Sequence, residues 1–309
     1  MLKKKHLYKI IGIISAMMLV LGTLAVPVFA VDTAGYDVQV TTVSSENDVN
    51  TIRTAQELLE LQEDVAALGN GEFLTGTYEL TANINMSSIA NQWTGIGIPQ
   101  SSKGFAGTFN GNGHTISGIA ISNASNVGPK GALFNLTSGA TIKNVTVTGS
   151  VTSNRFIGGI VGRTINNATI ENCNVNLTLT LNNGASNSIG GIIGQCGSGA
   201  GTGGSTGSGG TTGGTIGNIT ISNCTVNGTF TSNTSTNPVG GLVGHNYAGY
   251  AVNASDCTVR ASLNCSGGQI GSVVGKNLGT FTISNCTLSA TSSTHTTIPY
   301  AGLGTVTVQ

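Results

Sequence analysis

Apolar residues recur along this chain in short alternating runs rather than in helical faces. The clearest unit reads Thr-Ile-x-(Gly/Asn/Asp)-apolar-x-apolar. It appears at Thr115–Ile121, Thr141–Val147, Thr169–Val175, Thr220–Val226 and Thr282–Leu288, with a divergent member at Asn253–Val259. Period-two alternation predicts short strands whose side chains point in and out by turns. Ile119/Ile121, Val145/Val147 and Cys173/Val175 are expected to face inward. The fourth position is Gly118, Asn144, Asn172, Asn223, Asp256 or Asn285. These residue types tolerate positive φ, so a left-handed corner between two strands is expected there. A third alternating segment follows, as at Ser150–Thr152, Leu177–Leu181 and Gly228–Thr231.

A second signature punctuates the first. Gly-Gly-(Ile/Leu)-(Val/Ile)-Gly occurs at 158–162, 190–194 and 240–244, with a weaker copy at 271–275 and degenerate ones at 131–134 and 301–304. Counted from Gly159, the intervals are 32, 50 and 31 residues. A period of about 30 marks a solenoid. Three short strands per period make one coil of a parallel β-helix, and about six coils at roughly 4.8 Å each give a rod about 30 Å long. The long interval has a simple origin. Residues 197–214 are almost wholly Gly, Ser and Thr, and removing them restores an interval of 32. This stretch reads as a loop inserted at a corner; it lacks the Lys-(Ser/Thr) ending of a phosphate-cradling loop.

One helical pattern precedes the repeats. Thr54 and Glu57 form a capping box, and Leu58, Leu61, Val65 and Leu68 follow at helical spacing before Gly69-Asn70-Gly71. A solenoid needs its first coil covered, and this amphipathic helix is the expected cap. Trp93 is expected to pack there as well.

The N-terminus has another character. Lys3, Lys4, Lys5 and Lys9 precede an apolar run from Ile10 to Leu24 and a small-residue site ending at Ala30. That is the form of a secretory signal peptide. The expected organisation is therefore a signal peptide at 1–30, an extended leader at 31–52, the capping helix and first strands at 53–104, and β-helix repeats at 105–309 with the 197–214 insertion. The expected location is secreted or cell-surface, with no membrane span after cleavage. The last coil shows no cap, so a partner or a continuation of the chain is expected to cover it.

Charge narrows the function. Residues 31–309 carry eight Lys+Arg against twelve Asp+Glu, a net charge of −4, and eight of those acids precede residue 65. No basic footprint for nucleic acid is present. Six cysteines occur, four of them (Cys173, Cys224, Cys257, Cys286) at one repeat position that elsewhere holds Ile119 and Val145. A ladder of buried free thiols fits that substitution; disulfides between neighbouring coils, about 4.8 Å apart, are the alternative. Cys196 and Cys265 fall outside the ladder.

The segment Phe105 to Ile116, the glycine copies and the helix before them resemble the GLUG-motif repeat family, over about residues 52–309. The resemblance implies a right-handed parallel β-helix in exported bacterial proteins, often in large cell-surface proteins and beside immunoglobulin-cleaving metallopeptidase domains. The insertion, and the lack of an anchor or of a catalytic domain in this sequence, depart from that pattern.

Candidate chemistry is sparse, and no catalytic, cofactor-binding or metal-binding residue is assigned. His6, His114, His245 and His295 have no Glu neighbour of the His-Glu-x-x-His kind. Glu72, Glu79, Glu171 and Asp256 are the acids after residue 65. Glu171 and Asp256 share a repeat signature, three coils and about 14 Å apart on this reading, too far for a two-carboxylate mechanism. The leading expectation is a non-catalytic adhesion, binding or scaffold module that recognises a glycan or an extracellular protein. Outward ladders of Thr146, Thr148, Thr178, Thr180, Thr229 and Thr231 would form its surface. A polysaccharide lyase or glycosidase on a β-helix is the alternative.

Overall fold

The computed structural model describes residues 49–123, 131–182, 187–197, 217–234, 236–266 and 269–309. The expected signal peptide, the leader as far as residue 48 and, beyond Gly197, the Gly/Ser/Thr insertion lie outside the described residues.

The chain is an all-β parallel solenoid. Among the described residues nine strands stack on a first face, eight on a second and eight on a third, with a short four-stranded sheet between the second and third. One coil illustrates the path. Ala168–Glu171 lies on the first face, Asn174–Leu181 on the second, Ile189–Gly190 in the short sheet and Ile193–Cys196 on the third. Each pairs in parallel register with its counterparts on the coils before and after. This pairing satisfies the backbone from coil to coil.

The corner between the first two faces is left-handed, as its residue choice predicts. Asn144, Asn172, Asn223, Asp256 and Asn285 have φ between 50° and 56°. Gly118, expected at the same corner, also has positive φ but lies inside the second-face strand Thr115–Asn123. Thr115 pairs with Thr146 and not Thr141, and Thr108–Asn110 takes the first-face place instead. Their side chains also bond along the stack. Asn172 Nδ2 donates to Asn144 Oδ1 at 3.1 Å, and Asn144 Nδ2 to Asn110 Oδ1 at 2.9 Å.

The segments expected as a third strand are instead continuations of the second. Thr146–Ser153, Asn174–Leu181 and Thr225–Ser232 are each one strand. The glycine signature supplies the remaining side, and it spans a corner rather than a single strand. Gly158, Gly190 and Gly240 end short strands, and Val161, Ile193 and Val243 begin the next. Close approach explains the glycines here. A Cβ on Gly159 would stand 2.3 Å from the carbonyl oxygen of Gly191, and one on Gly191 would stand 2.2 Å from that of Gly241. The backbone stays paired through the corner, with Gly159 N–H donating to Gly191 O and Ile160 N–H to Ile192 O.

Inward positions form ladders of like residues. Ile142, Ile170, Ile221, Ala254 and Ile283 are in register on the first face and buried. Val147, Val175, Val226 and Val259 do the same on the second. Cys173, Cys224, Cys257 and Cys286 follow the corner residues. All six cysteines are free thiols, and only Cys286 is less than fully buried. Each ladder thiol reaches the carbonyl oxygen two residues earlier at 3.2–3.3 Å.

The helix runs Ala55–Ala67 with both arms of the capping box formed. Leu58, Leu59, Leu61 and Val65 enter the core. Lys103 Nζ bonds Ala66 O near its C-terminus at 3.0 Å, where a cation suits the exposed carbonyls. Trp93 is buried beside this region, and Thr94 N–H donates to Gln62 Oε1 of the helix at 2.7 Å. The solenoid starts before the helix. Val49–Ile52, read from sequence as leader, pairs with Thr77–Leu80, which pairs with Thr108–Asn110. Two rungs of the first face therefore precede residue 105.

Candidate binding surfaces

The second face carries the expected polar ladders. Ser150, Thr178, Thr229 and Ser262 are mutual partners, as are Thr152, Thr180, Thr231 and Asn264. Their side chains alternate with the buried apolar set and lie partly or fully exposed. Such a ladder offers hydroxyls and amides to solvent.

The third face carries a different row, which the sequence reading did not single out. The residue after each glycine signature is Arg163, Gln195, His245 or Lys276. These four are successive Cα partners on adjacent coils, with Leu136 before them and Leu303 after. The next position along the strand faces inward. Cys196 belongs to the core, and Asn246 Nδ2 bonds Asn277 Oδ1 at 2.8 Å and the carbonyl oxygens of Tyr250 and Thr280. Val161, Ile193, Val243 and Val274, two places before the row, are also in the core, and the paired register skips the glycine between. The alternation therefore breaks at that glycine, and Arg163, Gln195, His245 and Lys276, next to the inward positions, fall on the outer side of the sheet.

Outer residues of this type are usually well exposed. Here Arg163, Gln195 and His245 are only 6%, 1% and 7% exposed, while Lys276 is half-buried. Arg163 Nε, Gln195 Oε1 and His245 Nε2 are buried without a hydrogen-bond partner, although Gln195 Nε2 donates to Gly197 O at 2.8 Å. Three orphaned polar atoms on one row depart from the rule that buried polar groups are paired. Tyr247 stacks on the His245 ring, centroids 3.9 Å apart. Nearby, Tyr250 donates its hydroxyl to Ile165 O at 2.8 Å.

Burial lowers the pKa of Arg163, Tyr250 and Tyr247 oppose that shift, and Arg155 adds to it. Burial, and then the charge of Lys276, bring His245 down to about 4, so it is neutral at ordinary pH.

The acids of the repeat region serve the scaffold. Glu72 accepts from Gly69 N–H at 2.6 Å behind the helix. Glu79 accepts from Asn110 and Asn112 Nδ2 at 3.3 and 3.4 Å. Asp256 Oδ1 accepts from Asn285 Nδ2. Glu171 has Lys143 as its register partner. Glu171 and Asp256 are closer than the sequence reading placed them. Glu171 pairs with Ser222 and Ser222 with Ser255, so Asp256 sits two coils away, about 10 Å along the stack, rather than three. The 50-residue interval is a single coil, which removes the extra step. Among the described residues no group of three or more His, Cys, Asp and Glu could hold a metal ion. His114 and His295 lie apart from the row. His114 O accepts from Thr146 N–H at a corner, and His295 Nδ1 lies 2.9 Å from Thr294 Oγ1.

Comparison with known proteins matches these coils. The GLUG motif is recognised at residues 154–180 and 266–293. The first of these segments contains Arg163 and the second Lys276. Over 140 residues, 43% of the chain, the sequence is 34% identical to Halomucin of Haloquadratum walsbyi, although it spans only about 2% of the length of that protein. A solved structure of a candidate immunoglobulin A1 protease from Bacteroides ovatus superposes with a TM-score of 0.51 over 84% of this chain and 83% of the other. At 16% identity that likeness concerns the fold alone. The two matched segments are GLUG motifs, and the glycine signature that recurs from coil to coil through this stack is theirs.

Proposed function

We propose that this chain acts outside the cell as a non-catalytic recognition module, with the largely buried polar row Arg163–Gln195–His245–Lys276 as the part that binds. The observation that carries this reading is the set of orphaned polar atoms on that row. A solenoid gains nothing from burying an unpartnered guanidinium Nε and amide Oε1 on its outer surface, and desolvating them costs stability. A ligand that supplies their partners recovers that cost on binding. The likeness to Halomucin and the signal-like N-terminus support an exported, surface-associated role. Every acid of the repeat region is engaged in the scaffold or set beside a lysine, which supports the non-catalytic part.

Binding of the purified protein to arrays of glycans and extracellular matrix proteins tests the reading. Saturable binding that is lost in Arg163→Gln or Gln195→Leu supports it. Saturable binding insensitive to both moves the function to another face, and no binding at high protein concentration leaves a spacer role. Release of reducing or unsaturated ends from a polysaccharide would establish the enzymatic alternative instead.

A further inference from the structure

The chemistry of the row names a ligand class, an inference that rests on the recognition reading above. We infer that the row takes an anionic saccharide, with its carboxylate or sulfate set against Arg163 and Lys276 and a neighbouring hydroxyl donated to Gln195.

Three features converge on this class. The first is charge. Arg163 and Lys276 lie on one row with Gln195 and His245 between them, and the remaining members are Leu136 and Leu303. The row thus holds two cations and no carboxylate. Arg155 adds a third positive charge close to Arg163. An anion placed among these cations gains attraction from each of them.

The second feature is the kind of atom left unpaired. Arg163 Nε can only donate, whereas Gln195 Oε1 can only accept. A bare inorganic anion offers acceptors alone and leaves Oε1 unsatisfied. A neutral sugar offers hydroxyls and leaves the guanidinium without a counter-charge. A sugar acid or a sulfated sugar has both groups on one ring. His245 Nε2 serves either part, since its tautomer can donate or accept.

The third is shape. The row is straight because its members are in register, and Arg163 to Lys276 spans three coil steps, about 14 Å. Tyr247, stacked on His245 and half-buried, flanks it with an aromatic ring. A straight strip of four polar side chains suits an oligosaccharide better than a compact metabolite.

The test uses titration calorimetry on the purified protein with four probes: oligogalacturonate, its fully methyl-esterified form, a sulfated heparan-type oligosaccharide and a neutral cello-oligosaccharide. The ester keeps the galacturonate hydroxyls and removes the charge. We expect one of the two anionic probes to bind at least tenfold more tightly than the ester and the neutral sugar. Comparing oligogalacturonate with the heparan-type probe shows whether carboxylate or sulfate is the group recognised. Arg163→Gln and Lys276→Gln each weaken that binding at least tenfold, Gln195→Leu weakens it with the anion preference retained, and Lys143→Gln on the first face leaves it unchanged. Thermal unfolding of every variant confirms that it is folded. Equal binding of ester and acid, or full retention of binding in the Arg163→Gln/Lys276→Gln double variant, overturns the anionic inference. If neutral sugars bind and Gln195→Leu abolishes that binding, the recognition reading stands without the anion. If no probe binds the wild type, the saccharide assignment falls, and the matrix-protein arm of the wider screen decides the recognition reading separately.

Discussion

Arg163 and Gln195 are Cα partners on adjacent coils, both almost wholly buried on the outer side of a sheet, yet Nε of the first and Oε1 of the second have no hydrogen-bond partner. Such an arrangement opposes folding. A buried guanidinium with an unpaired Nε is costly, and replacing it with an apolar side chain of similar volume is often neutral or stabilising. Leu136 already occupies the same row one coil earlier. Arg163→Met is therefore expected to raise stability by about 1 kcal/mol or more, read as a higher denaturation midpoint in urea. A loss of stability would mean that the guanidinium is satisfied in solution. If the row is a binding site, the same substitution trades function for stability.

The neighbouring histidine makes stability depend on pH. Burial and Lys276 hold the folded-state pKa of His245 at about 4, against about 6.5 for an unfolded chain. Above pH 6.5 the ring is neutral in both states and contributes no difference. As pH falls from 6.5 towards 4 the unfolded ring takes up a proton that the folded one refuses, so stability drops across that window and the loss levels off below it. The full loss is about 3 kcal/mol. His245→Gln removes this component, so the difference between wild-type and variant unfolding free energies, measured from pH 7 to 4, should trace it. Identical pH profiles would place the ring in contact with water.

How much of this molecule could be read from the sequence depends on whether a constraint repeats by residue or only by class. The corner at Asn172 was legible because Asn, Asp or Gly recurs wherever φ must be positive. The buried cysteines were legible because they follow the corner residue at the place Val145 holds, although Ile119, read as the same place, pairs with Gly149 inside the second-face strand. The strand limits were less so. Gly149 and Gly228 suggest breaks, yet they sit inside strands, at positive φ and in register with Leu177. Val49–Ile52 has a mixed pattern, and only its pairing with Thr77–Leu80 identifies it as a rung. The outer row escaped because Arg, Gln, His and Lys share no identity. They share a long polar side chain one place after each glycine signature, and aligning those signatures by that following residue would have exposed it.

The glycines of the signature separate two reasons for having no side chain. A Cβ on Gly191 would fall 2.2 Å from Gly241 O and 2.5 Å from a methyl of Val226. Backbone pairing fixes the carbonyl and the core encloses the methyl, so neither can yield cheaply. At Gly113 the backbone has φ +79° but nothing lies within 4 Å of an added Cβ. Gly113→Ala should cost only the left-handed penalty, about 1–2 kcal/mol. Gly191→Ala should cost more, about 4 kcal/mol, because it forces the coils apart. Chemical denaturation of the two variants tests the order. The reverse order would mean that the glycine corner is more pliable than the ladder implies.

The thiol ladder predicts graded reactivity. Cys224 reaches Ser222 O at 3.2 Å and neighbours Cys173 and Cys257 in the stack. Its shared hydrogen bond with Cys173, and then burial, push its pKa up. The same kind of bond from Cys224 raises Cys257 to about 12, and burial alone raises Cys196. The thiolate is the reactive form, so these groups are protected both by burial and by protonation. Cys286 ends the ladder and is half-buried, but its bond to Cys257 also raises its pKa. With a small uncharged alkylating agent at pH 7.5, Cys286 is expected to react first, slowly for a free thiol. The other five should wait for unfolding, and six alkyl groups should be found once the chain is denatured without reductant. Mass spectrometry of the native and denatured reactions reads both results. Fewer than six groups after denaturation would show that neighbouring coils had been bridged by disulfides. Fast native labelling of Cys224 would show that the stack opens far more readily than its continuous pairing implies.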